Sequence, residues 1–255
     1  MRIIISPAKK MQEQTDHLDW RDLPVFLPET ERLLAALRSM TAAQLQKLWK
    51  CNDSIAELNV QRLAHMDLRS NLTPAVLAYV GIQYQYLSPE AFTNPQMAYV
   101  QEHLRILSGF YGLLRPMDGV TPYRLEMQAK LSVDGRKDLY AFWGDRLAKA
   151  LLEETDCIIN LASKEYSQCV SQHLPQQARF VTCVFGERKG GKIIEKGTMC
   201  KMARGEMVRF MAENALEKPD ELRAFDRLDY AYSAENSTKD TLVFVREEKP
   251  NISEW

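Results

Sequence analysis

The chain has 255 residues, of which 45% are hydrophobic and 26% are charged, and its formal net charge is −1. This composition is ordinary for a soluble globular protein. No run of about eighteen apolar residues occurs, so we expect no membrane span. Because the whole chain is nearly neutral, binding to a nucleic acid would need a local basic patch.

The amino-terminal residues and the cysteines predict the compartment. The apolar core of residues 1–10 is too short for a secretory signal peptide, and Ile3 to Ile5 predict a buried strand. The five cysteines are scattered and form no Cys-x-x-Cys pair, which favours reduced thiols in a cytoplasm. The four histidines are isolated from one another and from the cysteines, so we predict no metal site and no cofactor.

Helical patterns dominate the first half of the chain. A leucine face predicts a helix over 29–40, and Thr41 is the predicted N-cap of the helix that follows. Asp53 is the predicted cap of a third helix. Proline follows a cap residue at Asn94-Pro95, and this pair opens a long helix predicted to run through Leu107.

The second half mixes helices with strands. Asp138 or Lys137 opens a predicted helix, and 157–162 is a predicted apolar strand. A further helix is predicted over 199–214, with a β-hairpin on either side of it. Strands lie at both ends of the chain and helices lie between them. We therefore predict one mixed α/β (α+β) unit over residues 1–255, with a mixed sheet and many helices.

The densest motif is the apolar stretch 104–118, which is interrupted by a Gly-x-x-Gly turn at Gly109 and Gly112. A helical hairpin at this turn would present backbone N–H groups amid positive charge, which favours an anion, most often a phosphate. The alternative is a helix–helix turn in which the glycines only solve a backbone problem and the arginines pair with Asp118 or Glu126. The arginines that bracket the motif are Arg105, Arg115 and Arg124.

A second candidate site is the loop that follows the first predicted strand. It contains Ser6, Lys9 and Lys10, and loops at strand ends often carry chemistry. Its lysines can contact phosphate, and a desolvated lysine can act as a nucleophilic amine. The alternative is a solvated loop with two ordinary lysines.

The helix over 199–214 carries a basic face. Lys201, Arg204 and Arg209 share that face with small residues, which would let a polyanion approach the helix backbone. The region 186–209 holds seven Lys or Arg against three acids, so charge is segregated there. The alternative is a solvated amphipathic helix.

A strand–helix junction supplies the last candidates. Asn160 ends an apolar strand, and Ser163 can cap the helix that follows, so its N–H groups would face a cleft. Glu165 and Asp145 are acids that would lie nearby. The alternative is a well-capped connection without a ligand.

These stretches together resemble the YaaA family of bacterial peroxide-stress proteins. The resemblance begins with ISPAK at 5–9, HLRILSGFYGLLRP at 103–116 and PYRLEM at 122–127. It continues with LYxFWGD at 139–145, NLASxEY at 160–166 and ARGxMxR at 203–209, in family order.

The resemblance implies a cytoplasmic α/β protein with a positively charged cleft and a DNA-binding helix-hairpin-helix around Ser108 to Leu113. It also implies a role in limiting hydrogen-peroxide damage and in keeping unincorporated iron low. We hypothesise a protein that binds duplex or branched DNA with weak sequence specificity, with a small anionic ligand as the alternative partner. The expected phosphate contacts are Ser6, Lys9, Lys10, Arg105, Gly109, Gly112, Arg115, Arg124, Ser163, Lys201, Arg204 and Arg209.

The alternative function is an enzyme that acts on a nucleobase or nucleotide. Lys9 would form a Schiff base with a sugar aldehyde, and Asp145 and Glu165 would supply acid or base groups. A ferritin-like iron protein is disfavoured, since no Glu-x-x-His constellation occurs. Both hypotheses need one concave surface with residues 160–165 at its floor. We expect Lys9, Arg105, Arg124, Lys201 and Arg204 to line it.

Overall fold

The computed structural model describes residues 1–14 and 18–247, so that His17, one of the isolated histidines, lies outside the described residues. Twelve strands occur in the described part of the chain. In order they are β1 (Arg2–Ile5), β2 (Lys10–Met11), β3 (Thr73–Pro74), β4 (Tyr79–Val80), β5 (Leu104–Ser108), β6 (Gly112–Leu114), β7 (Gly119–Val120), β8 (Cys157–Leu161), β9 (Arg179–Lys189), β10 (Lys192–Ile194), β11 (Ala231–Tyr232) and β12 (Thr241–Arg246).

The α-helices fall mostly between the first and last of these strands. In chain order they are α1 (Leu27–Arg38), α2 (Ala42–Trp49), α3 (Asp53–His65), α4 (Ala75–Ala78), α5 (Ile82–Leu87), α6 (Asn94–His103), α7 (Leu139–Trp143), α8 (Arg146–Glu154), α9 (Lys164–Ser171) and α10 (Gly197–Glu213). Helices and strands form a single α/β unit around one mixed sheet, as predicted.

The main sheet has eight strands in the order β11-β12-β9-β8-β1-β5-β6, and β10 pairs with β9. The five strands from β12 to β5 run parallel, whereas β11 and β6 are antiparallel to their neighbours. The chain leaves β1 for β5 on one side and later places β8 on the other side. The connections therefore diverge at β1, and a crevice outside the carboxyl ends of the strands is expected there.

Burial on both faces explains why the central strands are apolar. Ile3, Ile4 and Ile5 in β1 have no exposed surface, and β8 is apolar except for Asn160. A parallel strand covered by helices on both faces needs such a continuous run rather than an alternating one. The predicted strands at 2–5 and 157–162 are confirmed.

Local capping places several helix starts where the sequence predicts them. Thr41 and Gln44 form a reciprocal capping box at the start of α2, and the Asp138 carboxylate accepts the Ala141 N–H at the start of α7. The third helix differs, because Asn52 rather than Asp53 is its cap. The helix predicted after Asp138 is divided into α7 and α8 at Gly144, whose φ is 52°.

The Gly-x-x-Gly motif forms a β-hairpin instead of the predicted helix-hairpin-helix. Helix α6 ends at His103, and β5 pairs with β6 in an antiparallel register that places Ser108 opposite Gly112. Short apolar runs that are buried on both faces have no periodicity that separates a strand from a helix. The turn N–H groups of Phe110 and Tyr111 donate to the Ser108 hydroxyl, so they are already used.

The two glycines of this hairpin solve packing problems. A Cβ at Gly109 would lie 2.6 Å from the backbone oxygen of Leu125, and one at Gly112 would lie 2.7 Å from the Trp143 ring. Gly112 also has φ of 74°, a conformation that favours glycine. This finding supports the structural alternative for the turn.

Helix α10 packs closely against α5 through Gly205. A Cβ at Gly205 would lie 2.1 Å from the Gln83 carbonyl oxygen and 2.9 Å from the Leu87 nitrogen. Gly205, Val208 and Ala212 are buried. The small residues of α10 therefore admit another helix, not a polyanion as the sequence predicts.

All five cysteines are free thiols. None of the helices in the described residues has the length and apolar character that crossing a membrane requires. Within residues 1–14 and 18–247, no three His, Cys, Asp or Glu side chains are grouped as metal ligands would be.

The contact between α10 and α5 predicts a large effect of one methyl group. Gly205→Ala is expected to lower the free energy of unfolding by about 1–3 kcal/mol, because the added Cβ overlaps backbone atoms of α5. Gly197→Ala is the matched control on the same helix, since nothing lies within 4 Å of a Cβ there. Urea denaturation of both variants checks this. Equal stabilities would mean that the two helices can separate without loss.

Candidate functional site

A cleft of about 440 Å³ lies at the carboxyl ends of β1 and β8. Its walls come from the loop after β1, from α5, from residues 123–126, from the start of α9 and from α10. The polar and charged side chains that line it are Ser6, Lys9, Lys10, Gln83, Tyr84, Tyr123, Arg124, Glu126, Ser163, Glu165, Tyr166, Lys201 and Arg204.

The floor of the cleft is built by the ends of two adjacent parallel strands. The Ser6 hydroxyl accepts the Ser163 N–H at 2.8 Å and lies 3.2 Å from the Ser163 hydroxyl. Ser163 is also the N-cap residue of α9, so the positive end of that helix lies at the cleft. The register that pairs Ile5 with Leu161 brings these two serines together.

Two arginines in the walls are mostly buried and make no hydrogen bond to any described residue. The side chains of Arg124 and Arg204 are only 11% and 16% exposed, and the Nε atom of each is buried without a partner. Their nearest carboxylate oxygens, on Glu126 and Glu195, lie at 3.8 and 3.9 Å, too far for a hydrogen bond. Buried guanidinium groups are normally paired, so this arrangement has donors to spare for an anion.

Gln83 adds a third unused donor. Its side chain is 7% exposed and lines the cleft, and its Nε2 has no hydrogen-bond partner in the described part of the chain. The Gly205 contact fixes the backbone at Gln83, so that α5 and α10 are held together at this wall.

Two carboxyl groups lie among the cations. Glu126 binds Lys9, with 2.9 Å between Oε2 and Nζ, and lies beside Arg124. Glu165 accepts the Gln128 N–H at 3.3 Å. Burial raises the pKa of the Glu165 carboxyl above its ordinary value, and the neighbouring charge of Glu126 adds to the effect.

Buried tyrosines fix the inner wall. The Tyr84 hydroxyl donates to the Ser6 carbonyl at 3.0 Å, and the Tyr123 hydroxyl lies 2.6 Å from Ser108 and 2.9 Å from the Tyr79 hydroxyl. Burial raises the pKa of the Tyr123 hydroxyl, so it stays neutral. These hydroxyls hold the strand ends rigidly below the charged groups.

The structure brings most of the predicted site residues to one cleft. Residues separated by almost two hundred positions meet there because β1 and β8 are neighbours and α10 packs on α5. The predicted residues that line the cleft are Ser6, Lys9, Lys10, Arg124, Ser163, Glu165, Lys201 and Arg204.

Arg105 lies elsewhere, contrary to the prediction that it shares this surface. It is the second residue of β5, near the amino end of the sheet, and its side chain is 5% exposed. Its guanidinium pairs with Glu154 at 2.5 Å and donates to the Gln101, Glu102 and Leu104 carbonyls. Arg105 is a structural residue, because its guanidinium donates to protein groups at the amino ends of the strands, opposite the cleft.

The remaining predicted residues also lie outside the cleft. Gly109 and Gly112 are enclosed in the β5–β6 turn. Asp145 is exposed and pairs with Lys149 at 2.7 Å, one helical turn away. Arg115 is half-exposed near Asp22, and Arg209 pairs with Glu213 on its own helix.

Several cleft residues have no sequence signal of their own. Gln83 and Tyr84 lie on a six-residue helix that is too short to show periodicity. Tyr123 and Tyr166 lie inside the motifs PYRLEM and NLASxEY, but as buried aromatics they resemble ordinary core residues. One residue in the sequence, Gly81 just before α5, does mark this wall of the cleft. A Cβ there would lie 3.2 Å from that of Ala8, so this glycine marks where α5 meets the loop after β1.

Comparison with known proteins agrees with the resemblance in these motifs. The model of the family described as "Peroxide stress protein YaaA" matches residues 1–236. The chain belongs to this family. A UPF0246 protein of Lachnoclostridium phytofermentans is 54% identical over 248 residues, which cover 97% of each chain. A UPF0246 protein of Pediococcus pentosaceus is 52% identical over 97% of this chain and 99% of its own length.

The unused arginine donors predict a gain in stability when the charge is removed. Arg204→Met is expected to raise the free energy of unfolding of the ligand-free protein by about 1 kcal/mol, because a mostly buried guanidinium without hydrogen bonds opposes folding. Arg209→Met, on the same helix, removes an exposed pair and is expected to change stability by less than about 0.5 kcal/mol. Urea denaturation decides the point. A clear loss of stability in Arg204→Met would show that its charge is satisfied in the free protein.

Proposed function

We propose that this member of the YaaA family is a cytoplasmic DNA-binding protein of the peroxide stress response, and that the cleft holds DNA phosphates. One observation carries the proposal: Arg124 and Arg204 are mostly buried in the cleft wall and have no hydrogen-bond acceptor among the described residues. Phosphate oxygens are the natural acceptors for such guanidinium groups, since they can take two N–H bonds from one arginine.

Charge supports a polyanion rather than a neutral ligand. Five cationic side chains and two carboxyl groups line the cleft, and the start of α9 adds the positive end of a helix dipole. The chain as a whole has a net charge of −1, so this concentration of cations is local. Local positive potential of this kind steers a polyanion to one face of a nearly neutral protein.

The same features support weak sequence specificity. The donors of the cleft are arginine, lysine and backbone groups at strand and helix ends, which contact phosphates in most protein–DNA complexes. The β-hairpin that replaces the expected helix-hairpin-helix has no unused N–H groups at Phe110 or Tyr111, so we assign the phosphate contacts to the cleft instead.

This placement suggests how the protein would limit peroxide damage. Phosphates that are neutralised by arginine and lysine release their counterions, which include ferrous iron where it is present. We propose that DNA held in the cleft binds less unincorporated iron, so that less of the reaction between iron and hydrogen peroxide occurs at the DNA.

The first test is a salt titration of duplex binding. If five cations neutralise phosphates, the logarithm of the association constant falls against the logarithm of salt concentration with a slope of about −4.5. Arg204→Gln is expected to weaken binding about tenfold, because a charge-assisted hydrogen bond is lost, and to reduce the slope by about 0.9.

Arg209→Gln is the matched control, since it removes the same charge from the same helix outside the cleft. Its affinity is expected to stay within about twofold of the parent protein, as for an exposed charge. Equal losses in the two variants would contradict the cleft as the binding site. Affinity that is independent of salt would overturn the proposal altogether.

A second candidate function is chemistry on a nucleotide in the same cleft. The observation that favours it is the Lys9 amine beside Glu126, with Glu165 as a carboxyl of raised pKa in the same cleft. Glu126 would first accept a proton from the Lys9 ammonium group, and the freed nitrogen would attack the aldehyde carbon of an abasic sugar. Loss of the sugar oxygen as water then gives a Schiff base. Glu165 would supply the proton for the departing oxygen.

Borohydride reduction separates this candidate from simple binding. A lyase gives a covalent adduct with abasic DNA that is lost in Lys9→Gln and kept in Lys10→Gln, which removes the neighbouring lysine. Absence of the adduct in a protein that still binds duplex DNA would eliminate the lyase and leave the binding function.

A further inference from the structure

A second cavity, which we name the side pocket, opens beside the cleft. Its volume is about 470 Å³, and it shares Lys9, Arg124 and Glu126 with the cleft. The remaining walls come from Met40, from α2 with the residue after it, and from residues 128–130. Because three side chains line both cavities, a ligand whose phosphate lies at Arg124 can extend into the side pocket.

The walls of the side pocket are mainly apolar. Met40, Leu48, Trp49 and Ala129 contribute to them. Trp49 belongs to the hydrophobic core and is only 4% exposed, so its ring is held rigidly. Pockets of this size with largely apolar walls are typical of sites for small organic groups.

Cations surround these apolar walls. Lys47, Lys50 and Lys130 line the side pocket together with Lys9 and Arg124, and Glu126 is the one carboxylate among its described lining residues. Lys47 and Lys50 have no ion pair within the part of the chain that the structure describes, whereas Lys130 lies 3.4 Å from Asp138. The side pocket is therefore positive at its rim and apolar inside.

Two side chains that line the side pocket carry unused donors. The Arg124 Nε and the Trp49 Nε1 are both buried without a hydrogen-bond partner in the described residues. Both side chains also line a small cavity of about 10 Å³ behind the side pocket. The side pocket therefore has two buried donors without acceptors, of which only Arg124 also lines the cleft.

We propose that the side pocket binds the base of a nucleotide whose phosphate lies at Arg124 and Lys9. This proposal rests on the DNA-phosphate function of the cleft. A bare phosphate would leave the apolar walls unused, and an aliphatic chain would not need five surrounding cations. A nucleotide satisfies both features, since it joins a flat aromatic base, whose faces pack on apolar walls, to an anion at the separation of one sugar.

The geometry favours an unpaired base of the bound strand as the source. The phosphate site and the side pocket share their boundary residues, so the base that enters belongs to the nucleotide whose phosphate is bound. A base that leaves a duplex loses stacking and pairing, and this loss is smallest when the base is already unpaired. The protein should then prefer DNA with an unpaired base over perfect duplex.

The test compares a duplex containing one unpaired adenine with the same duplex fully paired. We expect the unpaired form to bind about tenfold more tightly, since contact between a base and an aromatic or apolar wall is of this order. Ala129→Phe fills the side pocket and is expected to reduce this preference to about one. Met40→Trp is a second variant that narrows the side pocket, and it is expected to reduce the same preference. Because Met40 is only partly buried, this variant can be used if Ala129→Phe does not fold.

Leu58→Trp is the control for added aromatic bulk, since Leu58 is exposed on α3 and does not line the side pocket. It is expected to keep the full preference. Free deoxyadenosine monophosphate tests the other source of the same chemistry. If it binds the parent protein and not Ala129→Phe, while no DNA preference is found, the side pocket is a site for free nucleotides.

The outcomes separate this inference from the proposed function. One outcome overturns only the side-pocket proposal: the protein binds paired duplex with the expected salt dependence, shows no preference for the duplex with an unpaired adenine, and does not bind the free nucleotide. A parent protein that binds neither duplex at low salt overturns the DNA function, and nucleotide binding then decides the side pocket independently.

Discussion

The position of β1 between β5 and β8 is the constraint on which the cleft depends. The isoleucines of β1 are buried, and β1 pairs in parallel with a strand on each side. The carboxyl end of β1 is therefore fixed among the carboxyl ends of the central strands. The Ser163 N–H donates to the Ser6 hydroxyl and so joins the ends of β1 and β8. The loop that contains Lys9 leaves the sheet at this point. A shift of β1 by one residue would turn Ser6 away from Ser163, since side chains alternate along a strand.

The sequence predicts the parts of the site that follow from chain order and charge. Lys9 comes after a strand, Ser163 after another, and Arg204 lies on a basic helix, so their convergence follows once the strands are neighbours. Arg105 shows the limit of this reasoning. Arginine in an apolar run is compatible with a ligand and with a buried ion pair, and only the position of Glu154 distinguishes them. That carboxylate is forty-nine residues away in the chain and has no local signal.

The densest motif is a feature of packing for a physical reason. The β5–β6 turn lies under the Trp143 ring and against the Leu125 carbonyl, so residues larger than glycine do not fit at Gly109 and Gly112. Trp143 also donates its Nε1 hydrogen to the Gly109 carbonyl at 3.0 Å. Tight packing constrains residue types as strongly as ligand binding does, and a single sequence does not tell the two constraints apart. The pattern therefore located an important turn and misassigned its purpose.

In the free protein, the Glu126 carboxylate lies beside the cations that are proposed to bind phosphate. Glu126 pairs with Lys9 and lies between that lysine and Arg124, so a carboxylate already occupies part of the region proposed for phosphate. Such a carboxylate keeps the cations ordered and limits their mutual repulsion, and a phosphate with more oxygen atoms can displace it. Arg204 lies beside Glu195 in the same way, at 3.9 Å, and Gln83 Nε2 has no partner in the described residues, so unsatisfied donors also occur on the α5–α10 wall. Because Lys9, Arg124 and Glu126 line both cavities, a phosphate that replaces the Glu126 carboxylate in the cleft would also open the boundary of the side pocket, so occupation of the side pocket would depend on occupation of the cleft.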